Sequence, residues 1–171
     1  MIQSLTGSIH LAASIIALLT GAIVFFLPKA GAIHKRIGYV YVVSMIIVII
    51  TAFMIYRLTG GFNILHIAAV VSGIPLTLGM KAVIFRRWNS NWFLSHYENM
   101  CWSYIGLFAA FVAETSVRII APFIAKTVGY SIGWWFWAIV GLSTFLVCLI
   151  GDKIIKKNLE LIKAYKESKG Q

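Results

Sequence analysis

The 171-residue chain is too apolar for a soluble domain. Its hydrophobic residues make up 60%, its charged residues 12%, and its mean hydropathy is +0.89, whereas a soluble domain carries about twice that charged fraction. The formal net charge of +10 does not indicate nucleic acid, because the basic residues form short clusters between apolar runs. Such clusters contact lipid headgroups. We therefore expect a lipid bilayer around the chain and no nucleic-acid partner.

Five apolar runs follow each other along the chain, each about as long as a helix that crosses a bilayer. They cover residues 5–27, 33–56, 62–85, 92–121 and 132–150, and Pro75 is expected to kink the third. Residues 1–8 contain no lysine or arginine, so the first run is predicted to be a retained helix and not a signal peptide. The predicted fold class is all-α: an integral membrane bundle over residues 1–152, with a four-helix core and a fifth, peripheral helix.

The distribution of basic residues predicts the orientation. Twelve of the 15 fall on one side of the predicted bundle, and three fall on the other: Arg57, Arg118 and Lys126. The positive-inside rule then places the amino end outside and the carboxyl end in the cytoplasm, which in a bacterium means the inner membrane. Residues 153–171 become a basic cytoplasmic tail, in which Leu159, Ile162 and Tyr165 predict a weakly amphipathic helix on the membrane surface.

Each of the first four runs carries one histidine near a membrane boundary. His10 and His66 are expected at the outer level, and His34 and His96 at the inner level. Small residues share the predicted face of these histidines at helical spacing, as Ser14 and Ala17 do with His10. Faces of this kind mark close helix packing or accommodate a flat group. The histidines are therefore predicted to point into the bundle.

Two imidazoles that face each other across a helix pair are typical axial ligands of a b-type haem. A pair at each level predicts two haems, one on His10 and His66 and one on His34 and His96. Lys35 and Arg36 are candidates to neutralise the propionates of the inner haem. Arg57 and Arg118 are the candidates at the outer level.

Two other interpretations of the histidines stay open. A single histidine near a helix end is more often an interfacial or structural residue whose polar edge reaches water. A zinc or copper site on His34, His96 and Glu98 is a further option, although no second acidic residue stands close to it in the sequence.

Glu114 is the only acidic residue deep within a predicted span, and Arg118 lies on the same face four residues later. Ionisable residues inside a membrane are costly and indicate function by default. The pair is therefore a candidate proton or quinol site near the outer haem. The structural alternative is an ion pair that holds the fourth helix.

The residues that follow His34, Lys35-Arg36-Ile37-Gly38-Tyr39-Val40-Tyr41, together with His66 and the segment from His96 to Arg118, resemble a known family. It is the bacterial family of predicted membrane proteins called domain of unknown function 2306. The resemblance covers residues 5–120 and implies no activity. A weaker similarity of pattern, without a shared motif, links the chain to the cytochrome b-561 group. In that group four consecutive helices each carry one histidine, the first pairs with the third and the second with the fourth, and two haems are bound.

The function predicted from these patterns is transmembrane electron transfer by a di-haem b-type cytochrome, hence a membrane oxidoreductase. Its expected partners are quinone, an external oxidant or a redox partner subunit, in an oligomer or larger membrane complex. The alternative is a non-redox membrane protein, such as an accessory subunit or a small carrier, with structural or metal-binding histidines. The chain shows no phosphate loop, nucleophile elbow or HExxH motif, which disfavours hydrolase and nucleotide chemistry.

Overall fold

The structure is a computed structural model that describes residues 5–29, 31–55, 64–88, 90–128 and 132–168. Within these ranges the helices are α1 Leu5–Phe26, α2 Ala32–Met54, α3 Ile64–Ile84, α4 Trp92–Val128 and α5 Ile132–Ser168. A 3-10 turn, Arg86–Trp88, follows α3, and none of the described residues forms a strand. All five helices are long and apolar enough to cross a membrane. The predicted all-α class with five spans is confirmed.

The last two helices are longer than their apolar runs. Each contains 37 residues, about 55 Å at about 1.5 Å per residue, against a hydrocarbon core of about 30 Å. α4 continues to Val128, beyond the predicted end at residue 121, and α5 continues from its apolar half into the lysine-rich segment without a break. Pro75 lies inside α3, which remains a single helix.

The lysine-rich half of α5 packs on α4. Ile155 is buried and Leu159 and Ile162 are half-buried, while Asn158 lies close to the Tyr97 side chain of α4. Leu159 and Ile162, two members of the apolar stripe predicted to lie on the membrane surface, are thus partly covered by protein. The side chain of Tyr165 lies outside the described residues.

The helices pack mainly with their neighbours in sequence. α1 lies along α2, α3 along α4, and α5 along α4, so α5 is peripheral to the other four. The core of the four-helix part takes apolar side chains from each helix. Its buried members are Ala17, Tyr41, Val42, Met45, Leu76 and Leu107.

Two tyrosines hold the middle of this core. The Tyr41 hydroxyl of α2 hydrogen-bonds the Ser103 hydroxyl of α4 over 2.9 Å, and the Tyr104 hydroxyl donates to the Leu18 carbonyl of α1 over 3.3 Å. Both rings lie against Gly21 of α1 so closely that a Cβ atom there would overlap the Tyr104 ring and sit 3.0 Å from the Tyr41 ring. Glycine at position 21 therefore sets how closely α1 approaches α2 and α4.

Replacement of Gly21 by valine should destabilise the bundle, because the new side chain overlaps two ring systems that are themselves enclosed. We expect a loss of about 1–3 kcal/mol, as for other overpacked cores. Thermal unfolding in detergent, followed by circular dichroism, measures the effect. Gly141→Val is the matched control, since nothing lies within 4 Å of a Cβ atom at Gly141. Equal midpoints for the two variants would contradict the packing described.

Candidate functional site

The core contacts fix the heights of the four histidines along the bundle. Tyr41 of α2 meets Ser103 of α4. His34 and His96 each precede one of these residues by seven positions, so they lie at about the same height, near the beginnings of α2 and α4. On the other side, the Gly21–Tyr104 and Ser72–Gly106 contacts place His10 and His66 within about 5 Å of each other along the axis. We call these levels the basic end and the far end; they are about 25 Å apart at about 1.5 Å per residue.

At the basic end, α3 holds the imidazole of His96. Its Nδ1 lies 2.9 Å from the carbonyl oxygen of Gly79. A carbonyl only accepts, so Nδ1 carries the hydrogen and neutral His96 presents Nε2 as a free lone pair. Gly79 permits this contact because a Cβ atom there would lie 2.8 Å from the Met100 sulfur. A backbone acceptor on the far nitrogen is the usual support of a ligating histidine.

His34 approaches the same level from α2. Its Nδ1 is enclosed and makes no hydrogen bond with any residue that the structure describes. His96 and Lys29 lie close enough for their charges to act on its ring. A buried nitrogen without a partner costs free energy, and a ligand atom that meets this nitrogen would remove that cost.

Cations surround this pair. Lys35 and Arg36 follow His34 in the first turns of α2 and are exposed. Lys29 donates to the carbonyls of Val24 and Phe25, both over 2.9 Å, and so closes the end of α1. Burial lowers the pKa of the Lys29 ammonium from its ordinary value. The basic end therefore joins a bis-imidazole donor set to free positive charge, which suits an acidic ligand such as a haem with its propionates.

At the far end, His10 is bound to α2. Its Nδ1 lies 2.8 Å from the Thr51 hydroxyl oxygen, and that hydroxyl donates to the Ile47 carbonyl over 2.7 Å. Since the single hydroxyl hydrogen is used on the carbonyl, Nδ1 of His10 is the donor and its Nε2 keeps the lone pair. The sequence pattern alone did not reveal Thr51, which looks like any threonine in an apolar run.

His66 is packed differently. Only 1% of its surface is exposed, and its ring lies against Phe53 of α2, with 5.8 Å between the ring centres. A ring that bordered a cavity large enough for a porphyrin would have surface exposed to that cavity. The donor types at the far end suit haem, but the packing around His66 does not fit one. The second predicted haem would require these side chains to move.

Glu114 and Arg118 form the predicted ion pair within α4. Their side chains are 57% and 67% exposed, so the pair lies on the surface of the bundle and joins residues of one helix. Glu114 is near enough to His10 for its charge to act on the ring. The two residues thus lie on the surface of the bundle near His10, at the far end. Their role as a proton or quinol site stays a prediction. Arg57 lies outside the described residues.

The remaining metal hypothesis lacks its ligand set. Among the described residues, no three histidine, cysteine, aspartate or glutamate side chains come together as a metal site, so His34, His96 and Glu98 do not form one. One groove, of about 460 Å³ between α2 and α3, is lined by apolar side chains such as Ile49 and Ile74 with one threonine. The candidate site is therefore the histidine pair at the basic end.

Comparison with known proteins agrees with this architecture. The profile of the family described as "Predicted membrane protein (DUF2306)" matches residues 7–150, well over half of the chain. The chain belongs to this family. The DUF2306 match extends through about the first half of α5, so the resemblance expected to end near residue 120 is longer and reaches the apolar half of the fifth helix. No curated protein and no solved structure matches the chain.

Thr51→Val should destabilise the bundle by about 1–3 kcal/mol, because it leaves the Nδ1 hydrogen of His10 without its acceptor inside the bundle. Chemical or thermal unfolding in detergent measures the loss. Thr77→Val is the matched control: Thr77 also donates to a carbonyl one turn earlier, that of Gly73, but is exposed. If the two valine variants are equally stable, the His10–Thr51 hydrogen bond does not hold α1 to α2.

Proposed function

We propose that this DUF2306 protein is a b-type membrane cytochrome that holds haem at its basic end, with His34 and His96 as axial ligands. The proposal rests on one observation above all: His96 is oriented through Nδ1, which leaves Nε2 to a ligand, while His34, at about the same height on α2, has an enclosed nitrogen without a hydrogen bond to the described residues. Two imidazoles on the iron favour electron transfer over oxygen binding.

The residues around the pair have separate tasks in this proposal. The Gly79 carbonyl fixes the His96 ring and raises the basicity of its Nε2. Lys35 and Arg36, both exposed beside His34, would neutralise the propionates. Haem, when bound, would supply one-electron redox chemistry. The protein itself excludes water from the middle of the bundle, where Tyr41, Met45 and Ser103 are buried.

The far end has a different place in the proposal. His10 is engaged with Thr51 and His66 is enclosed, so we propose no haem step there. Glu114, exposed on α4 and within electrostatic range of His10, is the proposed site for a proton or a quinol hydroxyl. Because Glu114 lies about 25 Å from the proposed haem along the bundle axis, the electron donor of the haem would be a quinol or a redox partner subunit that approaches the basic end.

The competing candidate is a non-redox membrane protein in which the histidines hold helices together. The observation that favours it is the His10–Thr51 bond, which already gives one histidine a structural partner on another helix. Under this candidate the purified protein is colourless, and replacement of any histidine changes stability alone.

Haem content separates the two candidates. The chain is purified from a haem-replete host, and haem b is counted by the pyridine haemochrome method. We expect about one haem per chain, lost in His34→Ala and His96→Ala because one axial ligand is removed. His10→Ala is the matched control and should keep its haem. A colourless wild-type preparation, or haem loss in the control alone, would contradict the proposal.

A further inference from the structure

A second pocket opens at the basic end, between α3 and α4. Its volume is about 310 Å³. α3 and the turn after it contribute Leu78, Lys81, Phe85 and Trp88, and the first turns of α4 contribute Ser95 and Asn99. No histidine lines it, so it is distinct from the proposed haem site.

The polar part of the pocket suits an anion. Lys81 is exposed there and forms no ion pair with a residue that the structure describes. Arg86 and Arg87 stand in the turn between Phe85 and Trp88, both of which line the pocket. The described lining includes no carboxylate. Lys81 therefore brings a positive charge to this cleft without a counter-ion among the described lining residues, and two arginines stand in the turn beside it.

The rest of the pocket suits an alkyl chain. Leu78 and Phe85 are exposed apolar side chains, and Trp88 is 88% exposed. Tryptophan prefers the boundary between hydrocarbon and headgroups. Asn99 is held in place, since its amide donates to the Ser95 carbonyl over 2.8 Å and its Cβ lies 3.3 Å from where a Cβ of Gly79 would stand. The pocket thus combines the positive charge of Lys81 for a headgroup, the Trp88 indole for the boundary, and the apolar Leu78 and Phe85 for an acyl chain.

We propose that this pocket binds an anionic phospholipid, with its phosphate on Lys81 and the arginines of the turn and its acyl chain against Leu78 and Phe85. Basic pockets between membrane helices recognise lipid headgroups through such charges. The shared chemistry is a phosphate monoanion, and the apolar wall assigns it to a lipid and not to free phosphate.

Native mass spectrometry of the full chain in detergent tests the assignment, with phosphatidylglycerol and phosphatidylcholine of equal chain length as probes. We expect phosphatidylglycerol to bind at least tenfold more tightly. Lys81→Gln should weaken that binding about fivefold, the loss expected for one basic contact, and Lys81→Arg should retain it. Lys157→Gln, an exposed lysine of α5, is the matched control and should change binding less than twofold.

Three results would overturn the assignment. Equal affinity for the two lipids would show that the headgroup charge is not recognised. Equal losses in Lys81→Gln and Lys157→Gln would show that the lipid does not bind in this pocket. Displacement of the lipid by an equal concentration of inorganic phosphate would make the ligand a free anion. Circular dichroism checks that each variant is folded, and Lys81→Arg separates loss of charge from loss of structure. Haem content does not enter these measurements, so either proposal can fail alone.

Discussion

The contact of Tyr41 and Tyr104 with Gly21 determines the geometry of everything else in the bundle. The two rings fill the space between α1, α2 and α4, and their hydroxyls bind Ser103 and the Leu18 carbonyl. These contacts fix the positions of α1, α2 and α4 along the bundle axis, and with them the heights of the histidines on these helices. The two levels of imidazole thus follow from this packed cluster together with the Ser72–Gly106 contact.

The two levels differ in what their histidines still offer. At the far end the Nδ1 hydrogen of His10 is used on Thr51 and the His66 ring is enclosed. At the basic end His96 has its support from Gly79, while His34 keeps an enclosed nitrogen without a hydrogen bond among the described residues. Because of this difference, the proposed ligand site is at the basic end, where the cations lie. The α3–α4 pocket with Lys81 is at the same end.

The sequence predicted the helices well, because spans of about 20 apolar residues between charges have one solution in a bilayer. It also predicted that Glu114 and Arg118 pair, since four residues separate them on a helix. It could not predict the partners of the histidines. Thr51, Phe53 and the Gly79 carbonyl lie on other helices, and their contacts depend on rotation and height, which apolar periodicity does not encode. The extension of α5 along α4 was missed for a related reason: the lysines suggested a free surface helix, but Ile155 is buried and this half of α5 packs on α4.

The central claim is that His34 and His96 together ligate one iron. Electron paramagnetic resonance of the oxidised, haem-loaded protein tests it directly, because two imidazole ligands give a low-spin ferric signal. The account predicts this signal in the wild type and in His66→Ala, and its replacement by a high-spin signal or loss of iron in His96→Ala. A low-spin signal that survives in His96→Ala and disappears in His66→Ala would contradict it.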